Sequence, residues 1–93
     1  LFKVIVAYEP VWAIGTNKPC KIDDVLTVSI FIRKMFSTLF GFKKPELIKI
    51  LYGGSVNSEN AKKYVEEARV DGLLVGGKSL DGEEFLRIVS SFY

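Results

Sequence analysis

Three times along this chain a short apolar run ends at a carboxylate or a glycine pair and then gives way to a helical pattern. Val4-Ile5-Val6-Ala7-Tyr8 leads to Glu9 and a loop over residues 10–17. Leu47-Ile48-Lys49-Ile50-Leu51 leads to Tyr52-Gly53-Gly54-Ser55, and Gly72-Leu73-Leu74-Val75 leads to Gly76-Gly77-Lys78-Ser79. Runs this short, rich in branched side chains and bounded by turn formers, predict strands buried on both faces, as in parallel sheets. The spacing of Val25, Val28, Ile32, Met35 or Phe36, and Leu39 predicts a helix over residues 23–40. Asp23 and Asp24 suit its positive end, Gly41 stops it, and Pro45 fixes the connection that follows. A second helix is predicted over residues 59–68, capped by Asn57 or Ser58, and a third over residues 82–92. Asp81-Gly82-Glu83-Glu84 has the spacing of a capping box at the start of the third. The order is β-α-β-α-β-α, an α/β chain with parallel strands and right-handed crossovers. The pattern alone does not separate an open doubly wound sheet from part of a (β/α)8 barrel. In both, chemistry gathers at the carboxyl ends of the strands, where Glu9, Gly53-Gly54-Ser55 and Gly76-Gly77 fall.

Composition narrows the class. With 48% hydrophobic and 26% charged residues, the 93-residue chain reads as one packed domain or part of one, and not as a disordered tail. A net charge of +2, evenly spread, argues against nucleic acid or an anionic membrane as partner. Its single cysteine, Cys20, cannot form an internal disulfide, which suits a reducing compartment. The most apolar segment, residues 25–32, is interrupted by Thr27 and Ser29 and stopped by Arg33-Lys34. It falls short of the roughly 18 apolar residues a spanning helix needs, so a soluble chain is expected. The first residue is Leu1, as expected of a processed chain or a piece of a longer one.

Two glycine pairs on consecutive strands, one followed by Ser55, allow main-chain N–H groups to approach a phosphate or another anion. The bland alternative is a pair of tight strand–helix turns. Lys78 reads as a solvated side chain. Glu9, at a strand end between Tyr8, Pro10 and Trp12, is the candidate acid–base, since partly apolar surroundings can raise a carboxyl pKa. Its alternative is an ordinary glutamate paired with a lysine. Val11-Trp12-Ala13-Ile14 is apolar enough for a segment that closes over a ligand, with Pro10 and Gly15-Thr16-Asn17 as hinges. A loop packed permanently on a helix would look the same. Lys18 and Lys21 stand near Cys20 and could depress its pKa, but no histidine exists to make a catalytic pair, so Cys20 reads as incidental. No metal-ligand spacing, Gly-x-Gly-x-x-Gly or P-loop occurs, and no basic stripe accompanies the aromatics.

Taken together, AYEPVWAIGT, YGGSV and VDGLLVGGKSL resemble the signature segments of the triosephosphate isomerase family, in order and across essentially the whole chain. The resemblance implies a partial (β/α)8 TIM barrel: residues 1–93 as units six to eight of a single barrel domain. It implies that Glu9 is the catalytic base moving a proton between the two carbons flanking the carbonyl of a phosphorylated triose. Gly15, Ser55, Gly76 and Gly77 would bind the substrate phosphate. Pro10, Val11, Trp12, Ala13, Ile14, Gly15, Thr16, Asn17 and Lys18 would form the mobile lid, and Tyr52 would hold it closed. No cofactor and no metal are implied, nor nucleic-acid or membrane partners. The family is homodimeric and cytoplasmic.

Departures accompany the match. Asn17 replaces a glycine common in the family, and asparagine tolerates a left-handed backbone better than most residues. Lys21-Ile22 replaces a Thr-Pro or Ser-Pro, which weakens the next helix cap. A barrel takes about 250 residues, so three units need about 94. The family's first-loop lysine, its fourth-loop histidine and its third, dimer-forming loop are not in this sequence. The chain alone is therefore expected to lack isomerase activity. Its inward residues, expected to be Val4, Val6, Ile48, Ile50, Leu73 and Val75, would stay wet and two strand edges unpaired, giving instability or association. The alternatives are another phosphosugar-binding barrel enzyme, or a non-catalytic phosphate-binding or protein-interaction remnant of a barrel.

Overall fold

Three parallel strands lie side by side in chain order: β1 (Ile5–Tyr8), β2 (Lys49–Gly54) and β3 (Gly72–Val75). The structure, a computed structural model, describes residues 4–11, 20–41, 43–44 and 47–92. Helix α1 (Ile22–Phe40) connects β1 to β2, and α2 (Ala61–Glu67) connects β2 to β3. A 3₁₀ turn over Gly77–Leu80 and helix α3 (Gly82–Ser90) follow. The three-unit alternation is that of a partial TIM barrel, and the sheet is not closed.

Register decides which side chains share a face. Ile5 pairs with Lys49, Ala7 with Leu51, and Leu51 in turn with Gly72. Successive strand residues point to opposite faces. Ile5, Ala7, Lys49, Leu51, Gly53, Gly72 and Leu74 therefore share one face, and Val6, Tyr8, Ile48, Ile50, Tyr52, Leu73 and Val75 the other. The helices cover only the second face. Ile48, Ile50 and Tyr52 are sealed there with Val25, Val56, Ala61, Tyr64, Ala68 and Ile88, while Val6, Tyr8, Leu73 and Val75 pack around them. On the first face Ile5 is 69% exposed and Leu74 37%. Two expectations are thereby corrected. The outer strands are not buried on both faces, and the wet face carries Ile5, Ala7 and Leu74 instead of Ile48 and Ile50. The apolar run in β2 contains both parities, so hydrophobicity alone did not say which parity the helices take.

Helix α1 ends where Gly41 adopts a left-handed backbone, φ 69°, and its N–H bonds the Ser37 carbonyl at 3.1 Å. The buried stripe runs through Val25, Ser29, Ile32 and Phe36, while Met35 and Leu39 are exposed. Ser29 belongs to it because its hydroxyl lies 2.9 Å from both the Leu26 and Ala68 carbonyls, bonding α1 to the end of α2. The second helix is shorter than expected. Asn57 does not cap it directly; its carboxamide oxygen accepts from the N–H groups of Glu59 and Asn60 in the preceding turn. Asp81 caps α3 by accepting from Glu84 N–H at 3.1 Å. The reciprocal half of the capping box is absent, because the Glu84 carboxylate instead accepts from Ser58 N–H and Oγ at 2.8 and 3.0 Å. Those bonds hold the Glu84 carboxyl below its usual range. At the amino ends of the strands, Asp71 pairs with Arg33 at 2.9 Å and accepts from Ile50 N–H at 2.8 Å. Pro45 lies outside the described residues.

Candidate functional site

The carboxyl ends of parallel strands share one rim, so Glu9, Gly53 to Ser55, and Gly76-Gly77 exit on the same side of the sheet. Glu9 continues the alternation of β1 and lies on the face that the helices leave uncovered. Its neighbour across the sheet is Gly53. A Cβ at Gly53 would stand 2.7 Å from Glu9 Cγ and 3.2 Å from Glu9 Oε1, so a side chain there would require Glu9 to shift. The glycine is buried because the glutamate lies across it. Glu9 itself is exposed, and Tyr8 belongs to the opposite, helix-covered face, so the apolar enclosure expected from its sequence neighbours is not formed by Tyr8. Pro10 is buried and Val11 is 83% exposed. The remaining lid residues, Trp12, Ala13, Ile14, Gly15, Thr16, Asn17 and Lys18, lie outside the described residues.

The glycine pairs differ from expectation and from each other. Gly53 and Gly54 belong to β2, paired with Leu74 and Val75, instead of forming the turn after it. The strand extends because a residue without Cβ lets Glu9 lie over the ladder without interrupting it. Ser55 is half-buried just beyond, and its carbonyl accepts from Asn60 Nδ2 at 2.9 Å. Gly76 and Gly77 are exposed, and a Cβ on either would meet nothing within 4 Å. The next element is the four-residue 3₁₀ turn, not the start of α3, and Ser79 closes it by donating N–H and Oγ to the Gly76 carbonyl at 2.9 and 2.6 Å. A short 3₁₀ helix thus starts directly behind Gly76, whereas behind Gly53-Gly54 no helix starts until Ala61. Main-chain N–H groups are what these turns can offer an anion. Lys78 is exposed, in keeping with a solvated side chain.

Tyr52 is fully buried, and its hydroxyl accepts from Cys20 N–H at 3.1 Å. Cys20 is where the described chain resumes ahead of α1. Its thiol is pushed up by burial and then by the negative charge of Asp24, so the neighbouring lysines do not activate it. Two contributors escaped sequence reading. From sequence the Gly53-Gly54 pair reads as an anion-binding turn, whereas the register that sets Glu9 against Gly53 makes Gly53 the floor under the glutamate. Tyr64, on α2, had no motif to mark it, yet its hydroxyl donates to the Cys20 carbonyl and its ring stacks on Tyr52 with centroids 4.3 Å apart. Among the described residues no group of three or more His, Cys, Asp or Glu could hold a metal ion, and no helix is long and apolar enough to cross a membrane.

Comparison with known proteins gives a consistent family. The family profile described as "Triosephosphate isomerase" matches residues 1–92. Triosephosphate isomerase of Chlamydia felis is 52% identical over 96% of this chain and 35% of its own length. The enzymes so named in Aquifex aeolicus and Lawsonia intracellularis are each 49% identical, over 97% and 94% of this chain and 36% and 34% of theirs. The chain spans about a third of the length of the curated relatives it matches. Parallel alternating units, a glutamate on the uncovered face and a match across residues 1–92 agree: this chain belongs to the triosephosphate isomerase family.

Proposed function

We propose that residues 1–93 serve as the last three β/α units of a triose-phosphate isomerase, which interconverts dihydroxyacetone phosphate and D-glyceraldehyde 3-phosphate in glycolysis and gluconeogenesis. Glu9 removes a proton from the carbon beside the substrate carbonyl and returns it to the adjoining carbon, through an enediolate. Main-chain N–H groups of Gly15, Gly76 and Gly77, with Ser55, hold the phosphate, which anchors the substrate away from the reacting carbons. Residues 10–18 close as a lid and exclude water from the enediolate, and Tyr52 holds that lid. The complete enzyme works in the cytoplasm as a homodimer and needs no cofactor.

The observation that carries this reading is the position of Glu9. It lies over Gly53 on the face that no helix among the described residues covers, at the rim that Ser55 and Gly76-Gly77 also approach. In a barrel that face points inward, and substrate would meet the glutamate from the carboxyl ends of the strands. The chain contains no histidine, so the electrophile that polarises the carbonyl has to come from other units.

A chimera tests the proposal. The corresponding last third of the Chlamydia felis relative is replaced by this chain, and conversion of dihydroxyacetone phosphate is followed. Turnover by the chimera, with none by the 93 residues alone, is the expected result. A folded chimera without turnover, or turnover by the isolated chain, contradicts the proposal.

A further inference from the structure

We infer that Tyr64 is a positioning residue: with Tyr52 it forms a two-tyrosine clamp on the main chain of Cys20, fixing the entry of the chain into α1. Its importance for catalysis rests on the proposed reading of residues 10–18 as a lid.

Both main-chain polar groups of Cys20 are taken by phenols. The N–H donates to Tyr52 Oη at 3.1 Å, and the carbonyl accepts from Tyr64 Oη. The two phenols come from different elements, β2 and α2, and their rings stack at 4.3 Å with an interplanar angle of 28°. Cys20, Tyr52 and Tyr64 are 3%, 0% and 1% exposed, so water does not compete for these bonds. A buried carbonyl or N–H left unpaired is costly, and the pair of tyrosines resists withdrawal of Cys20 in either direction.

The local sequence gives this clamp something to do. Lys21 occupies the N-cap position of α1 and makes no side-chain cap bond. Nothing in the helix's own first turn therefore anchors the entering chain by a capping side chain, and the anchor is supplied from α2 and β2. Burial, reinforced by the adjacent Tyr52 hydroxyl, raises the Tyr64 hydroxyl above its ordinary value of 10.0, so it stays a neutral donor at physiological pH. Phenylalanine at position 64 would keep the stacked ring and lose only the bond to Cys20. A tyrosine is needed at this helical position for its hydroxyl, not for its bulk.

Cys20, the only cysteine, reports on the clamp directly. The chimera, with Cys20 as its one remaining cysteine, is labelled with a neutral maleimide at increasing urea, unsubstituted and carrying Tyr64→Phe or Ser29→Ala. Ser29→Ala removes a buried bond elsewhere between α1 and α2, so it weakens the fold without touching Cys20. The wild-type thiol should label far more slowly than the urea-unfolded chain. Tyr64→Phe should raise the urea-independent part of the rate about five- to tenfold, the weight of one hydrogen bond. Ser29→Ala should change only the urea-dependent part. A Tyr64→Phe rate equal to wild type, or a wild-type rate equal to that of the unfolded chain, overturns the clamp. In the chimera, Tyr64→Phe should lower kcat/KM by a similar factor, and faster labelling with unchanged kcat/KM would overturn its link to the lid. An inactive chimera whose Cys20 still responds to Tyr64→Phe would sink the isomerase reading and leave the clamp standing.

Discussion

Strand β2 has two unlike faces. On one, Ile48, Ile50 and Tyr52 are sealed beneath α1 and α2 at 0%, 1% and 0% exposure. On the other, Lys49 is exposed, Leu51 is half-buried, and Gly53 is covered only by the side chain of Glu9. The residues alternate one by one along a single strand, so the difference is not one of local sequence hydrophobicity. It comes from what stands over each face. The helix-covered face is sealed at its centre by this chain's own helices, whereas the opposite face carries the family's candidate base and no layer among the described residues. Stability and chemistry are thus assigned to opposite sides of the same three strands.

The sharpest way to break this contrast is to truncate one residue on each face. Ile50→Ala should lower unfolding free energy by about 2–5 kcal/mol, because it leaves a cavity under the helices. Ile5→Ala should stay within about 0.5 kcal/mol, as at other exposed positions. Urea titration of both variants checks the pair, and equal losses would erase the distinction. Next in size is Gly53→Ala, which puts a methyl group 2.7 Å from Glu9 Cγ. Overpacking of this kind costs about 1–3 kcal/mol, unless Glu9 moves aside. If it moves, stability is kept and the chimera loses turnover; loss of neither would mean that Glu9 does not occupy the space over Gly53. Ser29→Ala, beneath the covered face, should cost about 1–1.5 kcal/mol in the same titration.

The smallest effect is a pH dependence at the edge of the covered layer. Ser58 holds the Glu84 carboxyl below its ordinary value of 4.5, so the bond contributes stability above that pH and loses it as the pH falls. Thermal melting should therefore show wild type losing more Tm than Glu84→Gln on acidification below about pH 4.5. Parallel curves would remove Glu84 from the account of how α3 is held.

Much of this arrangement is legible in the residues. The three apolar runs and the helical spacing between them give element order, and Gly41 and Asp81 mark a helix end and a helix start by their backbone chemistry. The motif around Glu9 carries the family. What could not be read was parity and reach. Ile48 and Ile50 alternate with Lys49 and Leu51 in a run that is apolar on both sides, so only the placement of the helices chooses the buried set. The YGGS segment reads as a turn, yet Gly53 and Gly54 remain in the strand, because the glutamate of the neighbouring strand needs the space that a side chain would fill. Tyr64 lies 44 residues from Cys20, and no local pattern joins a helix phenol to a loop carbonyl at that separation. The lid expected over Pro10 to Lys18 rests on the apolar composition of that segment and on the family resemblance, and its residues from Trp12 onward lie outside the described ones.

Glu9→Gln in the chimera is the most direct test of the uncovered face as the catalytic one. Gln keeps the volume over Gly53 and removes the base, so the fold should melt as before while kcat falls about 10²- to 10⁴-fold. Turnover of dihydroxyacetone phosphate by Glu9→Gln at the rate of the unsubstituted chimera would show that proton transfer is done by another group, and that Glu9 has been given the wrong task.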